Sequence, residues 1–470
     1  MITISKYNSL ELKINTKEYK IIQEIFHNFS LYVDNYRFMP AYQIGKWNGK
    51  VNLFDINKQT LPYGLISDLT FFIKNNFPNV KIHIDDEVKK MFLGITDIPE
   101  YNLKKIPFYY QDDCIKTSLK FAKGLIRSAT GSGKSCVITY IIKSLLDLNL
   151  IKQSLIVVPK VSLVNQFTND MIEYGMPENI IGNVYAQKKE FDKPITISTW
   201  QSLMNNHHEL NRYDCVIFDE CHSLVAYQLS KIAMKCKRAR FRFGFTGTLP
   251  TNKLELYQIK SYIGPVLRDY GANELSEKGY LSKCNIKIIN VSYNDKLIGD
   301  YNEIKNTVFT NENRMKIITD LSKRTNDNVL ILVGLVEKEG EILYEYIKNN
   351  TENKTVVFLS GKTSVDVREE WRKKLNEEKN IIMIATYGIA STGLNIPSLK
   401  HLILASPFKS EIRTLQSIGR ALRLHSSKTK GAIIYDIIDN TRYLSRHGKK
   451  RLEYYKAEKF NLIESGSFNL

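Results

Sequence analysis

From about residue 124 onward, short runs of apolar and β-branched residues alternate with amphipathic segments of helix length; the runs fall at 124–129, 155–159, 195–199 and 215–220. Apolar runs of this length, each followed by a segment with helical spacing, predict βαβ units and a parallel sheet. After a less regular stretch from 264 to 282, the pattern restarts at 328–333, 355–359, 381–386, 401–406 and 431–438. Two similar α/β lobes are therefore expected. Residues 1 to about 100 lack this rhythm. Within them, 38–54 reads as a β-hairpin whose turn is Asn48-Gly49, a dipeptide that accepts positive φ at both central positions. The expected fold class is α/β: two tandem parallel-sheet lobes at 101–270 and 271–440, a small α+β domain at 1–100, and a basic tail at 441–470. No low-complexity tract and no short repeat interrupts this organisation.

Composition narrows the class. The chain has 470 residues, 43% hydrophobic and 25% charged, which fits an ordinary globular protein of several domains and neither a disordered nor a membrane-embedded one. Lys6, Glu11 and Lys13 interrupt the first segment, so it offers no apolar core for a signal peptide, and the expectation is a cytosolic protein, in the host cytoplasm if the source is viral. Six cysteines without a C-x-x-C pair argue for reduced packing residues rather than a zinc site or a disulfide framework. A formal net charge of +18 favours a polyanionic partner, because neutralised phosphates release counterions; a lysine-rich solvated surface is the competing reading.

The chemistry is concentrated in a few places. The run SATGSGKS, Ser128 to Ser135, follows an expected strand and opens an apolar helix, the context of a phosphate loop. Gly131 and Gly133, with Thr130 and Ser132 between and before them, let backbone N–H groups turn toward phosphates at a helix N-terminus. Lys134 reaches the β- and γ-phosphates of ATP, and Ser135 supplies a hydroxyl for Mg²⁺. Ser128 stands where the pattern has its first glycine. Further on, an apolar run ends in Asp219-Glu220-Cys221-His222, placing two carboxylates at the edge of the sheet where ligands bind. Asp219 is expected to hold Mg²⁺ through water and Glu220 to orient or deprotonate the attacking water.

With ATGSGKS at 129–135 and DECH at 219–222, the chain resembles the superfamily 2 helicases, in which two RecA-like lobes hydrolyse ATP while holding a nucleic acid. The resemblance implies adenine recognition by Gln111, which follows Pro107-Phe108-Tyr109-Tyr110. It implies coupling of nucleotide state to nucleic-acid contact by Thr246 and Thr248, although Gly247 departs from the commoner alanine. Gln416 to Arg423 looks like the sixth motif, and it assigns catalytic roles to Gln416, Arg420 and Arg423. The two arginines, three apart, are expected on one helical face, where their planar, permanently charged forks stabilise the transferring phosphoryl group. ATP would then draw the two lobes together and its hydrolysis would release them.

The same resemblance places backbone contacts to one strand at Lys160, Thr199, Gln201, Gly361, Thr386 and Thr392, small, polar or basic loop residues that fix register without reading bases. Helix capping is the competing reading for each hydroxyl. Asn395 stands where the family often has Asp. Lys46-Trp47-Asn48-Gly49-Lys50, the IGRALR stretch and the tail around His447 to Arg451 are similar to the phage UvsW type of DNA helicase. That type implies branched or forked DNA as partner, with branch migration, unwinding and annealing as the activities. A monomer, with no membrane partner and a single-stranded DNA-binding protein alongside, is a separate expectation. Trp47 between two lysines either stacks on a base or wedges a junction; a core-packing tryptophan is the alternative. Two other functions remain open: an ATP-gated clamp that grips a junction without moving, and an RNA helicase. The absence of His-Arg-x-Gly-Arg from motif six favours DNA. No carboxylate-rich motif in the first domain suggests a nuclease.

Overall fold

The computed structural model describes residues 1–100, 102–294, 297–390, 396–406, 410–426, 428 and 431–470, without the side chains of Val365, Glu411, Ile412, Arg413, Gln416 and Arg420. It divides into two compact units, Met1–Ser128 with Gly133–Asp269, and Ala129–Ser132 with Tyr270–Leu470.

The first unit begins with a four-stranded sheet in which Ile2–Lys6 lies between Glu11–Asn15, antiparallel, and Ile82–Ile84, parallel, with Thr60–Pro62 on the outside. Alternation does the work here: Ile2, Ile4, Leu12 and Ile14 point inward and are fully buried. They pack on Ile21, Ile22 and Ile25 of helix Tyr19–Asn28 and on Leu69 and Ile73 of helix Ile66–Asn76. The same core takes in Tyr257 of the first motor lobe. Across this boundary the Tyr63 hydroxyl donates to the Tyr262 carbonyl at 2.9 Å, Lys260 pairs with Asp68, and the Lys123 ammonium stands 4.4 Å above the Tyr63 ring. A side chain on Gly64 would meet the Lys260 carbonyl oxygen at 1.7 Å, so glycine is required for this close approach.

The hairpin expected over 38–54 does not form. Lys50–Asn52 pairs antiparallel with Ser30–Tyr32, and residues 33–49 leave the sheet as a 3₁₀ turn, Tyr36–Phe38, and a short helix, Pro40–Gln43. Gly49 has φ +81° but Asn48 is not in the left-handed region, so the two-residue turn is not made. Asn48 instead accepts from the Lys50 N–H at 3.0 Å, and the bare Cα of Gly49 makes room for the Tyr36 ring, which an added Cβ would meet at 2.3 Å.

The first motor sheet has eight strands in the order Lys188–Lys189, Ile181–Tyr185, Ile195–Thr199, Ser154–Val158, Cys215–Asp219, Phe241–Thr246, Lys123–Ser128 and Val266–Tyr270. The pairings from Ile181–Tyr185 to Lys123–Ser128 are parallel. The second unit carries a parallel seven-stranded sheet: Thr355–Leu359, Ile381–Thr386, Val329–Val333, His401–Leu404, Ala432–Asn440, Cys284–Ser292 and Asn461–Asn469. Two α/β motor sheets and a small α+β domain are thus present.

The segment expected as a basic tail is part of the second sheet's architecture. Helix Leu444–Ala457 packs on the strand Ala432–Asn440, and Asn461–Asn469 pairs with Cys284–Ser292. Arg451 is buried and donates to both oxygens of buried Asp436, which also accepts from the Tyr455 hydroxyl at 2.8 Å. All six cysteines are buried and free. Among the described residues no helix is long and apolar enough to cross a membrane.

Candidate nucleotide and nucleic-acid sites

The strand Lys123–Ser128 runs into the loop and helix Lys134–Asp147 follows directly. Gly131 and Gly133 have φ +89° and +75°, conformations that an L side chain resists and that turn successive N–H groups to one side. Gly133 is constrained a second time: a Cβ there would lie 2.6 Å from the Gln111 amide nitrogen. Gln111 is buried, and its side-chain oxygen accepts from the Phe108 N–H at 2.9 Å, so its amide is held against the loop rather than left to swing.

Lys134 donates to the Ser128 carbonyl at 3.4 Å and lies 4.0 Å from the Glu220 carboxylate. The Ser135 hydroxyl is 3.2 Å from the Tyr174 hydroxyl. Cys215–Asp219 brings Asp219 to the C-terminal sheet edge, and Glu220 follows in the left-handed region at φ +50°. One buried oxygen of Asp219 has no hydrogen-bond partner among the described residues. Burial, and then the neighbouring Glu220 carboxylate, push the Asp219 carboxyl well above the usual range, with Lys134 pulling it back down. A carboxylate held this way gains most from a cation beside it.

His222 connects this site to the Thr246 turn. Its Nδ1 is 3.3 Å from Glu220 and 3.0 Å from the Thr246 hydroxyl, which in turn donates to the Thr248 carbonyl at 2.8 Å. Lys134, Glu220, His222, Thr246 and Thr248 thus form one continuous polar chain. In the sequence His222 is only the last residue of DECH, with no signal of this bridging role. The strand Phe241–Thr246 lies outside the runs that predict strands; its register sets Phe245 opposite Asp219 and so brings the two loops together.

A second site stands at the same sheet edge. A cleft of about 590 Å³ is lined by Lys160, Thr199, Gln201 and Ser202, which follow two neighbouring strands, and by Lys188 and Lys189. Thr199 begins helix Trp200–Met204 but makes no side-chain cap; its hydroxyl is 3.1 Å from that of Ser202. The capping alternative therefore fails at this position. Lys188 and Lys189, on a short antiparallel strand after Ile181–Tyr185, were not singled out from the sequence, where they are one lysine pair among many.

In the second unit Gly361 and Thr386 follow paired strands in which Leu359 lies opposite Ala385, so both lie at one sheet edge; Thr386 is buried and Gly361 exposed. Thr392 and Asn395 lie outside the described residues, as do the side chains of Gln416 and Arg420. The helix of motif six is Glu411–Ala421, so Arg420 is in its last turn and Arg423 is beyond it. Arg423 therefore lies outside that helix, and the side chain of Arg420 lies outside the described residues. The chain leaves the helix because the Leu422 and Arg423 carbonyls are claimed from outside: Ser282 N–H donates to Leu422 at 2.7 Å, and the Ser282 hydroxyl and the buried Lys428 ammonium donate to Arg423, each at 2.9 Å. Neither Ser282 nor Lys428 carried a signal in the sequence. Trp47 is half-buried, with its indole N–H donating to the Lys50 carbonyl at 2.8 Å.

Comparison with known proteins follows the same division. Residues 3–85 match the family model for the DNA helicase UvsW N-terminal domain, 104–251 that for the res subunit of type III restriction enzymes, and 313–425 that for the helicase conserved C-terminal domain. The ATP-dependent DNA helicase uvsW of Enterobacteria phage T4 is 29% identical, with 98% of each chain covered. The crystal structure of T4 UvsW aligns over 99% of both chains, with 26% identity and a TM-score of 0.51. A fragment of a putative HsdR subunit of a type I restriction enzyme from Vibrio vulnificus shares the fold, at 17% identity and a TM-score of 0.60 over 78% of this chain and 70% of that one. Matched from end to end, the chain is an ATP-driven helicase that resembles the superfamily 2 helicases and, within them, the UvsW type.

Proposed function

We propose that the chain is an ATP-dependent DNA translocase that remodels branched DNA, such as forks and four-way junctions. The observation that carries this reading is the shared edge of the first motor sheet: the polar chain from Lys134 to Thr248 and the Lys160–Thr199–Gln201 cleft are rooted in strands of one sheet. In this reading Gln111 recognises adenine, and Thr130 to Gly133 wrap the phosphates. Lys134 neutralises the β- and γ-phosphates, and Glu220 orients the attacking water. Mg²⁺ would be held by Ser135 and, through water, by Asp219, supplying charge neutralisation between phosphates; the Asp219 oxygen without a hydrogen-bond partner fits that role. Arg420 and Arg423 stabilise charge on the transferring phosphoryl, an effect typically worth roughly 10³–10⁵ in rate. His222 and Thr246 report the state of Glu220 to the loop at Thr248.

Lys160, Thr199 and Gln201, joined by Lys188 and Lys189, hold one strand by its backbone; Gly361, Thr386 and Thr392 extend the track on the second lobe. The chain works as a monomer of an accessory domain at 1–100, lobes at 101–270 and 271–440, and residues 441–470 built onto the second lobe. A single-stranded DNA-binding protein acts beside it in the host cytoplasm.

The direct test is strand movement on a synthetic four-way junction with ATP and Mg²⁺, comparing the parent with Lys134→Ala and adding matched RNA as competitor. ATP-dependent migration that the variant loses supports the motor. Tight junction binding with hydrolysis but no movement would leave only a clamp, and preferential loss of DNA to the RNA competitor would make it an RNA motor.

A further inference from the structure

Lys428 carries a charge where a charge is expensive. The residue is only 7% exposed. Its ammonium donates to the carbonyls of Ala421 and Arg423, at 2.8 and 2.9 Å, and among the described residues it has no carboxylate partner. Burial, and then the nearby Arg423 guanidinium, pull its pKa down to about 8. A cation kept from water without a counter-charge costs stability. It is retained on main-chain oxygens at and just past the end of helix Glu411–Ala421, where the peptide dipoles favour positive charge. Up to Leu422 the chain is already pinned by apolar burial of Ile418, Ala421 and Leu422. What Lys428 adds is control of the next residue, Arg423.

Ser282 acts on the same carbonyl. Its hydroxyl donates to Arg423 at 2.9 Å and its N–H to Leu422 at 2.7 Å. Ser282 and Lys428 stand just ahead of two paired strands, Cys284–Ser292 and Ala432–Asn440, whose first residues lie opposite one another. The two segments are also tied directly: the Ala432 N–H donates to the Lys283 carbonyl at 2.8 Å, and a side chain on Gly431 would meet that oxygen at 2.4 Å. The Arg423 main chain is thereby fastened to the sheet through two segments. Its side chain starts out against the phosphate loop. Ala129–Ser132 belongs to the same compact unit, and a Cβ on Gly131 would lie 3.2 Å from Arg423 Cγ. A group that stabilises a transferring phosphoryl must meet it in one geometry, and a misplacement of about 1 Å can cost roughly a hundredfold in rate.

We propose that Lys428 and Ser282 are positioning residues for phosphoryl transfer: by holding the Arg423 carbonyl they fix where its guanidinium meets the γ-phosphate of ATP. This rests on the reading of Arg423 as a charge-stabilising group. The test is a double-mutant cycle on the full chain, read as kcat for ATP hydrolysis at saturating single-stranded DNA and as the Kd of a fluorescent ATP analogue. Lys428→Met removes the charge and puts an apolar group of similar volume in its place, a change that folds tolerate. It is expected to lower kcat about tenfold or more, with Kd and melting temperature near those of the parent. In an Arg423→Ala background the same change has no further effect on kcat, because the side chain being positioned is gone. Ser282→Ala, which keeps the N–H bond to Leu422, gives a smaller loss, about threefold, again absent from the Arg423→Ala background. It replaces Lys428→Met in the cycle if that variant does not fold. Equal losses in both backgrounds mean that the two residues support the lobe as a whole, and overturn the inference; so does a parental kcat in the variant tested. If Arg423→Ala itself turns over ATP at the parental rate, the reading of Arg423 fails and takes this inference with it.

Discussion

Two basic stretches look alike in the sequence and do opposite things in the structure. The helix Leu444–Ala457 carries Arg446, Lys449, Lys450, Arg451 and Lys456, yet Arg451 points inward, buried to 2% exposure on Asp436. Its guanidinium makes charge-assisted bonds to both carboxylate oxygens and to the Ile437 carbonyl, and the carboxylate raises its already high pKa further. Lys188 and Lys189, a pair with no motif around them, stand exposed at the rim of the cleft that also holds Lys160, Thr199 and Gln201. Cationic charge can meet a polyanion only where it remains in water. A buried cation is spent on holding the fold together.

That contrast can be broken, and the largest effect is expected at the buried arginine. Arg451→Ala leaves the Asp436 carboxylate in the core without its cation, and we expect a loss of about 3–5 kcal/mol in unfolding free energy by denaturant titration. The salt dependence of DNA binding should be unchanged; a lower slope without loss of stability would mean that Arg451 reaches DNA. The Lys188→Ala/Lys189→Ala pair should behave in reverse. Its stability stays within about 0.5 kcal/mol of the parent. The slope of log K against log salt for single-stranded DNA becomes shallower by about 1.4, two phosphate contacts at about 0.7 each; an unaltered slope removes both lysines from the track. A third change sharpens the contrast at an aromatic residue. Trp47→Phe keeps a ring but removes the donor to Lys50, so a destabilisation of about 0.5–1.5 kcal/mol is expected, with junction affinity unaltered. Weakened junction binding at parental stability would restore Trp47 as a base contact. The smallest effect is expected for Thr199→Ser, which retains the hydroxyl facing Ser202: single-strand affinity should stay within about twofold, as hydroxyl contacts to a backbone carry no side-chain specificity.

The motor strands were legible where their flanks are polar. The expected runs at 195–199, 355–359 and 381–386 are the observed strands, and 155–159 is displaced by one residue. Phe241–Thr246 is not legible in the sequence because Arg242 breaks its apolar run. In the fold that arginine is buried and donates to the carbonyls of Tyr262, Cys236 and Ala233, so a charge that reads as a surface position is a core tie. Asn461–Asn469 is mostly exposed and has no apolar pattern; only pairing with Cys284–Ser292 makes it a strand. Asn-Gly favours a tight turn locally and so predicts a hairpin over 38–54, while Tyr36, from outside the turn, takes the space at Gly49.

By itself the sequence determined the phosphate loop, the DECH box, the alternation that builds two α/β lobes and the sign of the charge, because each is a local pattern whose spacing carries its own geometry. Tertiary structure alone decided which cations face water, that His222 bridges Glu220 to Thr246, and that Ser282 and Lys428 turn the chain out of its helix before Arg423. Those outcomes depend on which strands become neighbours and which groups lose their water, and both are set by packing between segments far apart in the chain.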